Sequence, residues 1–159
     1  NKILYTRDLK TEAIIGFELE ISNEKYPTIR MSPSGSNPNI TLFCYGGILE
    51  EIELAAEKVF YENEILCEII CPTQINPLNF TPIFESIEKT GHLLIVEDGP
   101  SVASLGSEIC AKIVQNYLKP LKVQIMGYDG IIPCSLEVEK KITPHSELIS
   151  KKIVNLIDD

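Results

Sequence analysis

The chain has 159 residues, 44% of them hydrophobic, enough for one domain that buries roughly two-thirds of its unfolded surface without a disulfide or metal staple. Its 23 acidic residues against 14 basic ones give a formal net charge of -9, which repels phosphate backbones and anionic membranes and argues against both as partners. A basic surface on another protein suits this charge better.

In chain order, Ile3 to Thr6 and Ala13 to Ile21 read as short strands, the second partly alternating. Ser32 to Asn39, SPSGSNPN, is dense in turn formers, and a domain boundary is expected there, with residues 1–39 as a lead-in. Ile40 to Tyr45 is an unbroken apolar run of the kind a strand buried on both faces produces. Gly46 and Gly47 follow, then a long amphipathic helix with Ile48, Ile52, Ala55 and Val59 on one side and Glu50, Glu51, Glu53, Glu57 and Lys58 mostly on the other. The glycines are expected to allow a sharp turn and a close backbone approach.

Leu66 to Cys71 is the next strand, stopped by Pro72, and a helix capped by Asn79 or Thr81 runs to Gly91 with Pro82 in its first turn. His92 to Glu97 predicts a further strand, leading through the small-residue loop DGPSVASLG into a helix from Leu105 to Leu118. Lys122 to Met126 is the last strand of the series. The turn-rich GYDGIIP leads on to a final helix, Pro144 to Ile157, capped by Thr143 or Ser146. Alternating strands and helices predict an α/β fold, a mostly parallel sheet with helices on both faces, whose site lies in the loops at the strand carboxyl ends. Those loops are Tyr45 to Gly47, Pro72 to Asn79, Asp98 to Gly106 and Gly127 to Pro133.

Motif chemistry is sparse. No GxGxxG follows the first strand and no GxxxxGK[ST] occurs, so neither phosphate cradle is present. The five cysteines, Cys44, Cys67, Cys71, Cys110 and Cys134, lack CxxC spacing and read as reduced thiols of a cytoplasmic protein. His92 and His145, the only two histidines, open a strand and a helix with no catalytic motif around them. Glu97 and Asp98 form an acidic pair at a strand end, placed either for a ligand contact or to cap the following helix. The chain opens at Asn1 without a methionine, which suggests an excised piece of something longer.

The series YGGILEEIELAAE, PTQINPLNFTPIFESIEKTGHLLIVEDGP, LGSEICAKI and GYDGIIP resembles, in order and spacing, the C-terminal domain of transketolase-like thiamine-diphosphate enzymes. The beta chains of the 2-oxo-acid dehydrogenase decarboxylating component are the nearest in pattern. The resemblance covers about residues 40–158 and implies a three-layer α/β/α domain, with a mixed sheet of about five strands whose antiparallel edge strand comes from Thr28 to Met31. It also implies that thiamine diphosphate and magnesium belong to other domains of the full enzyme, because the family's GDG motif and its Asn-Asn partner are missing from Glu97-Asp98-Gly99 and Tyr128-Asp129-Gly130. By this resemblance the chain is catalytically inert and serves homodimerisation, contact with the parent enzyme's other domains or subunits, and docking of a basic acyltransferase subunit-binding domain. The candidate strand-end or interface residues are Tyr45, Gly46, Gly47, Glu97, Asp98, Gly99 and Gly106, with no catalytic, cofactor-binding or metal residue. Two departures from the beta-chain pattern stand out: Lys119 where an acid usually precedes the proline turn, and a longer Phe17 to Asn39 lead-in. The alternative is a regulatory α/β domain that binds a small molecule through the same strand-end loops.

Overall fold

The computed structural model describes residues 16–131 and 133–158. The strand expected at Ile3 to Thr6 lies outside them.

Phe17–Ile21 (β1) and Thr28–Pro33 (β2) form an antiparallel hairpin, and β2 pairs antiparallel with Cys67–Pro72 (β4). β4 lies parallel to Ile40–Phe43 (β3), which lies parallel to His92–Pro100 (β5), itself parallel to Lys122–Tyr128 (β6). The result is one six-stranded mixed sheet in the order β1-β2-β4-β3-β5-β6. Residues expected to form a lead-in therefore belong to the same sheet, and Thr28–Met31 lies second from the edge, with β1 outside it. Among the described residues the sheet has six strands where about five were expected, because Phe17–Ile21, within a stretch read as a strand, joins the same sheet through its hairpin with β2.

Among the described residues five helices complete the fold: Leu49–Asn63 (α1, entered through a 3-10 turn at Gly46–Ile48), Thr81–Thr90 (α2), Leu105–Asn116 (α3), Leu136–Ile142 (α4) and Ser146–Asp158 (α5). The short α4 falls between the turn-rich GYDGIIP and the last helix, where no helix is expected from the sequence. α3 stops at Asn116 rather than Leu118 because Tyr117 has already gone extended, three residues before Pro120. α2 is capped by neither Asn79 nor Thr81: its N-cap is Phe80, with no side-chain cap, while Asn79 Oδ1 accepts the Thr81 N–H at 3.1 Å from one residue further out.

Period-2 alternation along the strands sorts the core into two layers. Met31, Ile40, Leu42, Ile69, Leu94 and Val96 meet Ile52, Ala55 and Val59 of α1 and Ile149, Ile153 and Leu156 of α5. On the other face Phe43, Ile70, Leu93 and Ile95 meet Ile83 and Ile87 of α2 and Ile109 and Ile113 of α3. Each fully buried side chain of this size contributes about 1.5–3 kcal/mol, so both layers are needed. α1 and α5 are also tied at their ends: the Ser146 N–H donates to Glu51 Oε2 at 2.7 Å, and Lys58 Nζ donates to Glu147 at 2.6 Å.

The α2 face carries a buried polar knot. Thr41 Oγ1 meets Ser86 Oγ at 2.7 Å and Thr90 Oγ1 at 2.8 Å, while buried Glu68 accepts from Arg30 Nε at 2.8 Å and Ser32 Oγ at 2.7 Å. Burial alone would raise the Glu68 carboxyl, but hydrogen bonds from Ser86, Arg30 and Ser32 and the Arg30 charge outweigh it and hold its pKa below the ordinary value.

Candidate functional site

Chain direction across the sheet reverses between β3 and β5. The connection leaving β3 goes through α1 to β4, whereas the one leaving β5 goes through α3 to β6 on the other side. A crevice at this switch point is where an open α/β sheet presents a site. Tyr45 and Gly46 lie beyond β3 there, and Glu97 to Gly99 form the last stretch of β5, which runs on to Pro100 rather than ending at Glu97.

The turn after β3 behaves in part as the sequence implies. Gly46 has φ +68°, which a side chain tolerates poorly, yet a Cβ there would meet nothing within 4 Å. Gly47 has neither a positive φ nor a close neighbour. The pair therefore makes the turn through Gly46 alone, and the expected close approach is absent from both.

Close approach occurs instead at Gly106 and Gly127. A Cβ on Gly106 would stand 3.0 Å from Ile95 Cγ2 and 3.2 Å from Ile125 Cγ2, because the first turn of α3 presses onto the sheet. A Cβ on Gly127 would stand 2.6 Å from the Gly99 carbonyl oxygen, where β5 and β6 shift register between Val96 and Pro100. Gly99 has open space of its own and acts as the backbone that Gly127 accommodates. Beyond this shift the Ser101 N–H donates to the Tyr128 carbonyl at 3.1 Å, and Ser101 Oγ donates to Asp129 Oδ1. Gly127 was legible only as a turn residue, since the sequence does not say that two glycine-bearing strand ends lie side by side.

Glu97 is the central group. Alternation puts it on the same side of β5 as Leu93 and Ile95, beneath α3, where it is only 1% exposed. Its Oε1 accepts the Gly106 N–H at 2.7 Å, and Ser104 Oγ accepts the Ser107 N–H at 3.2 Å, so two orphan donors of the α3 amino terminus are satisfied. This is the helix-capping role, with an inward carboxylate at the positive end of the helix dipole. Asp98 alone of the acidic pair faces solvent.

The charge of Glu97 reaches its neighbours. Burial pushes the Tyr45 phenol up, and the Glu97 and Asp98 carboxylates add to that; burial and then Glu97 push the Cys110 thiol up likewise. A hydrogen bond with Cys71 that favours the protonated thiol, then burial and the nearby Cys71 and Glu53, raises Cys44 well above the ordinary thiol value, and burial does the same to Cys67. None of these thiols is poised as a nucleophile. The histidines make backbone contacts, His92 Nδ1 with the Thr90 carbonyl at 2.8 Å and His145 Nδ1 with the Thr143 carbonyl at 3.0 Å. Among the described residues no cluster of three or more His, Cys, Asp or Glu could hold a metal, and no helix is long and apolar enough to cross a membrane. At the switch point Glu97 and Gly106 thus tie β5 to α3, Tyr45 lies near enough to feel the Glu97 charge, and Gly46 shapes the turn after β3.

Residues 32–149 match the family "Transketolase, C-terminal domain". The beta subunit of the pyruvate dehydrogenase E1 component is 31% identical over 149 residues in Rhizobium meliloti, covering 91% of this chain and 30% of that protein. The mitochondrial form from Rattus norvegicus is 33% identical over 161 residues, covering 93% of this chain and 45% of that protein. The chain thus spans less than half the length of these relatives. Among solved structures, a split-gene transketolase described as an inactive beta4 tetramer matches with a TM-score of 0.68 at 17% identity, over 77% of this chain and 40% of that one, a likeness of fold alone. By the match over residues 32–149, the chain belongs to the transketolase C-terminal domain family.

Proposed function

We propose that this chain is the packing and docking domain of a thiamine-diphosphate-dependent 2-oxo-acid dehydrogenase or transketolase-like enzyme, and that the chemistry of that enzyme resides on other domains. The observation that carries this reading is the outer face of α3. Ser107, Ala111 and Val114 follow one another at helical spacing, with Leu118 just past the helix end, and Val114 is 77% and Leu118 95% exposed. Beside them β6 is an edge strand whose residues from Val123 to Tyr128 are only half buried. An exposed apolar face of this kind marks a surface that another subunit covers. The relatives are named as subunits, and the split-gene transketolase is described as a tetramer, which favours the same reading.

The residues here do not fit thiamine diphosphate and magnesium. The two carboxylates nearest the missing motif are engaged, Glu97 under α3 and Asp129 by Ser101, and no trio of acids stands free for a metal among the described residues. Calorimetry with thiamine diphosphate and magnesium is expected to show no binding, and micromolar affinity would overturn that half of the reading.

Sedimentation velocity tests the other half. A homodimer is expected at high micromolar concentration, converted to monomer by Val114→Glu with Leu118→Glu, and a strictly monomeric parent chain would refute it. A cytoplasmic setting suits cysteines that are not joined in disulfides. The alternative regulatory reading draws on a cleft of about 460 Å³ between Ile75 to Phe80 and the start of α3, lined by Leu78, Phe80, Leu105, Glu108 and Lys112. A thermal-shift screen separates the two, because a metabolite that binds the cleft raises Tm.

A further inference from the structure

Two steps of the chain join an aspartate to a glycine, Asp98-Gly99 near the end of β5 and Asp129-Gly130 just past the end of β6. Every aspartyl bond carries a latent reaction, in which the backbone nitrogen of the next residue attacks the side-chain carboxyl carbon and closes an imide ring. Glycine in second place removes the Cβ that would crowd that nitrogen, so the sequence alone exposes both steps to it. Whether the reaction runs depends on the backbone being free to bring nitrogen and carboxyl together.

The fold treats the two steps differently. Asp98-Gly99 lies inside β5, with the Gly99 carbonyl set so close to Gly127 that a Cβ there would stand 2.6 Å from it. The pairing of Pro100 with Tyr128, and the Ser101 N–H donated to the Tyr128 carbonyl at 3.1 Å, hold the same stretch from its far side. Asp129 and Gly130 follow that last pairing, and both are exposed. Gly130 has φ +101°, a Cβ built on it would meet nothing within 4 Å, and its N–H finds no backbone acceptor among the described residues. What ties the Asp129 side chain is the hydrogen bond from Ser101 Oγ, at an exposed position where water competes for the carboxylate.

We propose that Asp129-Gly130 is a site of spontaneous covalent modification, the isomerisation of aspartate to isoaspartate, and that the fold confines the reaction to this step and protects Asp98-Gly99. The Gly130 nitrogen forms a bond to Asp129 Cγ, a carboxyl oxygen leaves, and it departs as water with the amide proton. Water then adds back to the imide. Opening at the Cγ side restores aspartate, whereas opening at the Asp129 main-chain carbonyl leaves the backbone running through the former side chain, so the net change consumes and releases nothing. The product lengthens the main chain by one methylene directly after β6 and moves the carboxylate off Ser101, which loosens the contact between the two strand ends. Neither the packing reading nor the regulatory one is needed for this inference.

The test is tandem mass spectrometry of the whole purified chain, incubated for weeks well below its unfolding temperature and in parallel in urea. Electron-transfer fragmentation distinguishes isoaspartate from aspartate at each step. In the folded chain isoaspartate is expected at Asp129 at least about tenfold faster than at Asp98, because the strand-held step reacts only after local opening and each tenfold corresponds to about 1.4 kcal/mol of opening cost. In urea the two rates are expected to converge. Asp129→Asn reaches the same imide by losing ammonia and is expected to convert faster than the parent, while Asp129→Glu, which would need a larger ring, is expected to abolish the product there and leave Asp98 as it was. Amide signals of Ser101 and Tyr128 should shift in the aged parent and not in the aged Asp129→Glu chain. No isoaspartate at Asp129 above the fresh protein, equal or faster reaction at Asp98 in the folded chain, or a rate ratio that persists in urea would each overturn the proposal.

Discussion

Removing the Glu97 carboxylate should loosen the whole switch point. Two effects oppose each other. Deleting a buried charge recovers its desolvation cost, and replacing a buried ion pair with apolar groups is often neutral. Here, however, the partner is the Gly106 backbone N–H at 2.7 Å, which no substitution at position 97 can remove. Glu97→Ala therefore leaves a buried donor unpaired, at about 1–3 kcal/mol, and forfeits a charge at a partly buried helix amino terminus, at up to about 2 kcal/mol. The expected loss is about 2–4 kcal/mol. Glu97→Gln keeps an acceptor for Gly106 and should lose only the charge contribution, about half as much or less. Urea unfolding reads both. With a slope of about 1–3 kcal/mol/M, the alanine variant should lower the midpoint by about 1 M or more, and the glutamine variant by visibly less. Hydrogen exchange should show the first turn of α3 opening before the rest of the helix in the alanine variant. An alanine variant whose midpoint matches the parent, or a glutamine variant as damaged as alanine, would refute the capping account.

Further outcomes follow from the same geometry. Gly46→Val should cost about 1–3 kcal/mol from φ alone, since the space around it is open, and an unchanged urea midpoint would show the turn to be tolerant. Gly127→Ala must move the Gly99 carbonyl, which a Cβ would approach to 2.6 Å, so a loss of about 3 kcal/mol or more and weaker protection of β6 amides are expected. Glu68 has a folded pKa below its ordinary value of 4.5, so its contribution is present above that value and is lost as pH falls through the lower folded one. The stability gap between the parent and Glu68→Gln should therefore narrow below about pH 4, and a gap that widens on acidification would contradict the Arg30 and Ser32 contacts.

Much of this was legible from the residues because period and punctuation act locally. The run Ile40 to Phe43, the two-faced pattern from Ile48 to Phe60 and the stops at Pro72 and Gly91 define elements without reference to anything distant. Glu97 was half legible: alternation along HLLIVE already groups it with Leu93 and Ile95, yet what lies over that face is a fact about α3. Local pattern did not place β2, because Thr28 to Met31 pairs with Ile69 to Pro72 across some forty residues; the family resemblance named it as an antiparallel strand but put it at the edge, where β1 lies instead. Glu51 read as one more solvent-facing acid of a helix, since its partner, the Ser146 amide, lies 95 positions on. Lys119, an oddity in sequence, turns out to pair with Glu88.

That long-range tie between α1 and α5 bears on how the chain is made. While residues 49–63 are emerging from a ribosome, the groove between α1 and the sheet that Ile149, Ile153 and Leu156 will fill is still open, and about ninety-five further residues must be synthesised before α5 can close it. At about 5–20 residues per second that interval lasts several seconds, long beside the microseconds in which helices form. A stop codon or frameshift between Pro133 and Ser146 would leave one layer of the core uncovered for good, so such products are expected to be held by chaperones or degraded rather than to persist as shortened domains.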